Sequence, residues 1–182
     1  MSETPFVPDF GTSDGPTRKM CFICSKGNLD MAYPALIMGN AALGEGCEVH
    51  IFFTFWGFDI INTATWDKLK FTMTGNTAMH MPQLDKIRPG LGSMSMPQPL
   101  GVLPGMTAAA TAMMRNQLKD LGIPTVPEML EQITEAGGHL WGCKLSADMM
   151  GLTKDDLYDG VEDIISASDF IELSEGAQVI FI

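Results

Sequence analysis

The chain is short of positive charge: 11 lysines and arginines stand against 22 acids, a formal net charge of −11. Phosphate contacts need clustered Lys and Arg, so nucleic acid is excluded as a partner, and so is the surface of an anionic membrane. A long hydrophobic run is missing too. The longest, Ile51 to Ile61, is too short to span a bilayer. No basic segment leading into an apolar one opens the chain, so no signal peptide is expected, and the reading is a soluble cytoplasmic protein. The familiar catalytic signatures are absent: there is no Gly-x-Ser-x-Gly elbow, no Walker loop and no dinucleotide fingerprint. Cysteine numbers only four, without a second Cys-x-x-Cys to complete a zinc site. Outside a secretory context those four thiols are expected to be reduced.

What is present fits one α/β domain of 182 residues. Residues 1–17, with three prolines among small polar and acidic residues, read as a flexible tail or an arm that docks on a partner. The domain then runs from 18 to 182. Met20 to Cys24 is a short apolar strand, Lys26-Gly27-Asn28 a turn, and Leu29 to Leu43 has helical spacing stopped by Gly44 and Gly46. Cys47 to Phe55 is apolar nearly throughout, as a strand buried on both faces should be. Strand–helix–strand order is the mark of a parallel sheet.

Gly57 to about Leu69 is expected to be a second helix. Residues 70–105 hold five prolines and five glycines, with Met73, Met79, Met81, Met94 and Met96 among them. A stretch of that length without periodicity reads as a lid, a binding surface or an oligomer contact. Helices are expected over Met106–Leu121 and Pro127–Ala136. They are followed by a strand ending at Gly142, a short helix from Ser146 to Met150, and a single turn at Asp155–Tyr158. The last three elements are a strand at Val161–Ile165, a helix at Ser168–Ser174 and a strand at Gln178–Ile182. The sum is about five parallel strands with helices on both faces.

Chemistry in such a sheet collects beyond the carboxyl ends of the strands. Cys143 falls there, where the strand through His139-Leu140-Trp141-Gly142 gives way to a helix whose N-cap is expected at Ser146. Backbone N–H groups opening that helix, and the adjacent Lys144, favour thiolate over thiol. The competing reading is a small buried hydrophobe, the common fate of a free cysteine. Cys24 also ends a strand and is a candidate accessory thiol. Its partner in a Cys-x-x-Cys spacing, Cys21, lies on the same strand, so the two point to opposite faces. Cys47 starts its strand and reads as structural. His50 reads as a satisfied core or interface histidine. His139 lies four strand residues from Cys143, roughly 13 Å, so no Cys/His dyad is built locally. Trp56 is placed to wall the site. Met79, His80, Met81, Met94 and Met96 offer soft ligands that suit Cu(I), set against methionine's ordinary role as a flexible filler.

Two segments together resemble the DsrE/DsrF/DsrH-like superfamily, specifically its DsrE-related sulfur-trafficking branch. One is Cys24-Ser25-Lys26-Gly27-Asn28-Leu29-Asp30 followed by Ile51-Phe52-Phe53-Thr54-Phe55-Trp56-Gly57. The other is Gly142-Cys143-Lys144-Leu145-Ser146-Ala147-Asp148-Met149-Met150-Gly151-Leu152. Gly122-Ile123-Pro124 and Pro127-Glu128 extend the similarity, which covers nearly everything from 18 to 182. The resemblance implies a three-layer α/β/α fold and a homo-oligomer, trimeric or tetrameric. It implies a strand-end cysteine, here Cys143, that carries sulfane sulfur as a persulfide and exchanges it with TusA-like or rhodanese-like proteins. Lys144 and Ser146 would stabilise the thiolate. Ser25, Lys26, Gly27, Phe55 and Trp56 would line the pocket, and no cofactor or metal is required. Two other functions stay open: a non-catalytic assembly or partner-binding subunit of the same fold, and a soft-metal binder using the Met-rich loop.

Overall fold

A computed structural model describes residues 18–72, 74–76, 79–80 and 85–182. Five parallel strands form one sheet: β1 (Lys19–Cys24), β2 (Glu48–Phe53), β3 (His139–Cys143), β4 (Val161–Ile165) and β5 (Gln178–Phe181), in the order β4-β3-β2-β1-β5. The α-helices are α1 (Leu29–Gly44), α2 (Met106–Asp120), α3 (Val126–Glu135), α4 (Lys144–Met150) and α5 (Ala167–Leu173). The expected arm at 1–17 lies outside the described residues. Among the described residues, no helix is long and apolar enough to cross a membrane.

Alternation along the strands decides which layer each helix joins. Val49 and Ile51 face α1, where Gly39 lets the helix close on Ile51 and on Ile133 of α3. Phe52 points the other way and stacks on Phe170 of α5, ring centroids 4.3 Å apart. The sheet is therefore a middle layer, with α1 and α3 on one side and α5 on the other. Crossovers carry the chain from β1 to β2 to β3 to β4 in one direction, and the α5 crossover returns it to β5 on the far side of β1.

The helix expected over 57–69 does not form. A 3₁₀ turn occupies Phe55–Ile60 and irregular turns follow. Polar side chains there take up the backbone groups a helix would use. Asn62 Oδ1 accepts from the Ala64 N–H at 2.9 Å, and Thr65 Oγ1 donates to the Asp59 carbonyl at 3.0 Å. Gly57 fixes the start of the turn. A Cβ on it would lie 2.1 Å from the Cys24 carbonyl oxygen, so only glycine lets the chain after β2 press on the end of β1. The helix expected at Pro127 begins at Val126, capped by Thr125 and Glu128 as a capping box. Within 70–105 the described residues include a 3₁₀ turn at Gln98–Val102. Met79 packs there with Ala110, Phe71, Met96 and Met106 in a small cluster separate from the main core.

Candidate functional site

Cys143 closes β3 and is itself the N-cap of α4, which starts at Lys144 with no intervening turn. The cap expected at Ser146 is therefore one turn too late. Ser146 sits inside the helix, buried, and its hydroxyl looks back at the end of β2. There the Phe55 N–H donates to Ser146 Oγ at 2.7 Å, and Thr54 Oγ1 lies 3.2 Å from the same oxygen.

Register explains how Thr54 arrives. Phe53 pairs with Gly142, so the next residues along, Thr54 just after β2 and Cys143 at the end of β3, come to the same face. Burial alone would push the Cys143 thiol up. The backbone N–H and hydroxyl of Ser146, the hydroxyl of Thr54 and the backbone N–H of Leu145 outweigh it and hold the thiol below its ordinary range. Those four donors favour the charged sulfur. Thr54 carries no site motif in the sequence. Its only signal is a hydroxyl that interrupts an otherwise apolar strand end.

Ser146 Oγ accepts from the Phe55 N–H, which leaves its one hydroxyl proton to donate to Thr54 or to the sulfur. Phe55 pays for this contact with a φ of +46°, the one left-handed non-glycine among the described residues. Phe55 and Trp56 are both exposed, as are Leu145 and Met149 on α4. Cys143 itself is only 6% exposed in the single chain.

The other expected site residues gather less closely. Lys144 is exposed and its charge helps lower the Asp169 carboxyl; the hydrogen-bond donors, not this ammonium, lower the thiol. Ser25 ties down the chain end, its N–H and Oγ both donating to the Ile182 carbonyl at 2.9 and 3.0 Å. Lys26 is exposed and opposes the burial that pushes the Asp30 carboxyl up. Gly27 meets the turn after β2: a Cβ there would lie 2.4 Å from the Trp56 carbonyl oxygen. Gly27 and Trp56 do line a cavity, of about 520 Å³, with Asp59, Lys68 and Lys70, but Cys143 is not one of its walls.

Cys24 has no geometry for an accessory thiol. It is 2% exposed, faces the layer opposite Cys143, and burial pushes its thiol up to about 12. Burial likewise raises Cys21. Cys47 is buried just before β2. His139 pairs with Glu162, and His50 is satisfied by Glu48 and Trp141. Of the soft-ligand set, Met79 and Met96 lie in the small apolar cluster, Met94 is exposed, and Met81 falls outside the described residues. No group of three His, Cys, Asp or Glu suited to a metal occurs among the described residues.

Comparison with known proteins follows this geometry. The family model described as "DsrE/DsrF/DrsH-like family" matches residues 16–182. The chain is 35% identical over 154 residues to a sulfur carrier protein, DsrE2, of Allochromatium vinosum, covering 84% of this chain and 91% of that one. It is 26% identical over 166 residues to an uncharacterized protein, YrkE, of Bacillus subtilis, covering 91% and 98% of the two chains. Among solved structures, the protein of unknown function MTH1491 from Methanobacterium thermoautotrophicum superposes with a TM-score of 0.52 at 10% identity, over 91% of this chain and 99% of that one. That likeness speaks to the fold.

Proposed function

This chain belongs to the DsrE/DsrF/DrsH-like family, and from that premise we propose that it is a sulfur carrier holding sulfane sulfur as a persulfide on Cys143. The observation that carries the reading is the nest of donors from Thr54, Leu145 and Ser146 that holds the Cys143 thiol below its ordinary range. The name of the Allochromatium vinosum relative supports the same class of cargo.

The chemistry is thiol–persulfide exchange and needs no external oxidant. The Cys143 thiolate attacks the outer sulfur of a donor persulfide. A new S–S bond forms, the donor's S–S bond breaks, and the donor leaves as a thiolate. In the return step a partner thiolate attacks the outer sulfur and Cys143 leaves as a thiolate. A low-pKa leaving thiol speeds that second step, so the donors that stabilise the free thiolate serve release as well as loading. The partners in this reading are TusA-like or rhodanese-like carriers, and the working form is a cytoplasmic homo-oligomer of three or four chains.

Mass spectrometry after incubation with a sulfane donor tests it. One sulfur is expected on Cys143, none on Cys143→Ser, and parental loading on Cys24→Ala. Equal loading of Cys143→Ser overturns the assignment. A second reading, a partner-binding subunit that transfers nothing, is favoured by the low exposure of Cys143. It predicts a native chain whose Cys143 resists alkylation.

A further inference from the structure

The sheet face that bears Cys143 bears a second polar cluster two rungs below it. Parallel register sets Cys21, His50 and His139 side by side across β1, β2 and β3. Side chains two residues further along point the same way. The next rung on β2 and β3 is Phe52 beside Trp141; Thr54, just after β2, and Cys143, at the end of β3, follow two residues further along each chain.

His50 is 5% exposed, and both ring nitrogens are engaged. Nε2 lies 2.8 Å from Glu48 Oε1, and the indole N–H of Trp141 donates to Nδ1 across 3.1 Å. An indole nitrogen only donates and a carboxylate only accepts. The ring is therefore neutral, with its one proton on Nε2. A second proton has only Nδ1 to occupy, and there it would face the Trp141 N–H: an attraction becomes a clash of two donors.

Every element around the ring contributes. From β1 come Cys21 and Lys19, whose ammonium lies 3.4 Å from Glu48 and donates to the Leu173 carbonyl at the end of α5 at 3.2 Å. From β3, His139 stacks on His50 with centroids 4.6 Å apart, and its Nδ1 meets Glu162 of β4. Burial lowers the proton affinity of His50 most, His139 and Lys19 add to it, and Glu48 opposes them.

We propose that His50 is a positioning residue for Cys143, acting through Trp141. Neutral, it anchors the indole of the middle rung and so keeps Thr54 and the cysteine in register. Protonated, it releases the indole, and the donors around the sulfur loosen. The inference rests on Cys143 as the working thiol and adds acid sensitivity to it.

Alkylation of the native full chain by iodoacetamide, read at Cys143 by peptide mapping from about pH 5 to about pH 8, tests the coupling. Below its own titration a lone thiol loses rate about tenfold per unit of acid; coupling to His50 adds up to about a further tenfold per unit across the histidine's titration. The slope of log rate against pH should thus rise above one in the parent. His50→Gln keeps an acceptor for Trp141 and a donor for Glu48 but gains no proton. It should keep the parental rate at the alkaline end and a slope that nowhere exceeds one. His50→Phe, with no acceptor, should be slower already at the alkaline end.

Superimposed profiles for the parent and His50→Gln overturn the proposal. So does a steep limb that vanishes in His139→Gln but persists in His50→Gln. If His50→Gln does not fold, the Trp141 indole N–H resonance of the parent carries the test: it should move with the steep limb, and a resonance unmoved by pH overturns the idea. Sulfur loading measured in parallel separates the two readings. A His50-dependent profile without loading sinks the carrier and leaves this coupling. Loading with a slope that nowhere exceeds one does the reverse.

Discussion

Cys24 and Cys143 each end a parallel strand, at the same edge of the same sheet, yet their sulfurs live in opposite surroundings. Cys24 points into the layer under α1 and meets apolar packing, which pushes its thiol up to about 12. Cys143 points to the other face, is nearly as buried, and is pulled down. Burial raises both thiols, and Cys24 is the more deeply enclosed. Only Cys143 has donors to set against it: two from the first turn of α4 and two hydroxyls, from Thr54 and Ser146. A buried charge is tolerable when the groups that replace water are already in place.

That contrast can be broken or sharpened in steps. The largest effect is the contrast itself. Raised from 9.0 to about 12, the folded Cys24 thiol is ionised about a thousandfold less than a free one at a given pH. Native-state labelling should reach Cys143 and spare Cys24 until the chain unfolds. The linkage has a sign for each. Unfolded Cys24 ionises before the folded thiol does, so its contribution to stability is lost as pH rises from about 9 toward about 12. Denaturation midpoints should fall over that window in the parent and fall less in Cys24→Ala. The depressed Cys143 contributes stability above the ordinary thiol value, and this is lost as pH falls through its folded one.

Ser146→Ala comes next. It removes a hydroxyl donor to the thiolate and leaves the Phe55 N–H without its acceptor. A hydrogen bond to a charged group contributes about 1.5–3 kcal/mol, so neutral-pH alkylation of Cys143 should slow about tenfold or more. A parental rate would show that the helix N–H groups suffice. Thr54→Val keeps the shape and loses one donor whose bond is shared with Ser146. A severalfold slowing, on the order of 1 kcal/mol, is expected in the same assay. Lys144→Ala should change the rate by less than about twofold, because the exposed ammonium is screened by water. A larger loss would restore the charge-based account of this thiol.

Much of this protein was legible before any coordinates. All five strands fall where apolar runs and β-branched residues put them, and Cys143 was found because it ends one of them. The region after β2 was not. Gly57 to about Leu69 reads as helix by spacing, but Gly57 must hug the Cys24 carbonyl, and Asn62 and Thr65 consume the local backbone bonds. Ser146 reads as a cap because its hydroxyl lies near a helix start, but Cys143 itself takes the cap one turn earlier. Lys144 differs: it is adjacent to the sulfur in sequence, but its exposed charge is not among the groups that lower the thiol.

By itself the sequence determined the period-two and helical patterns, hence the layers, and the placing of one cysteine at a strand's carboxyl end. Those are local matters, set by which residues can share a strand or a helix face. Tertiary structure alone decided that Thr54 would meet Cys143, that His50 would hold Trp141, and that Cys24 would be sealed in the opposite layer. Such contacts join residues far apart along the chain. Strand register and the face each side chain takes create them, and no local pattern encodes either.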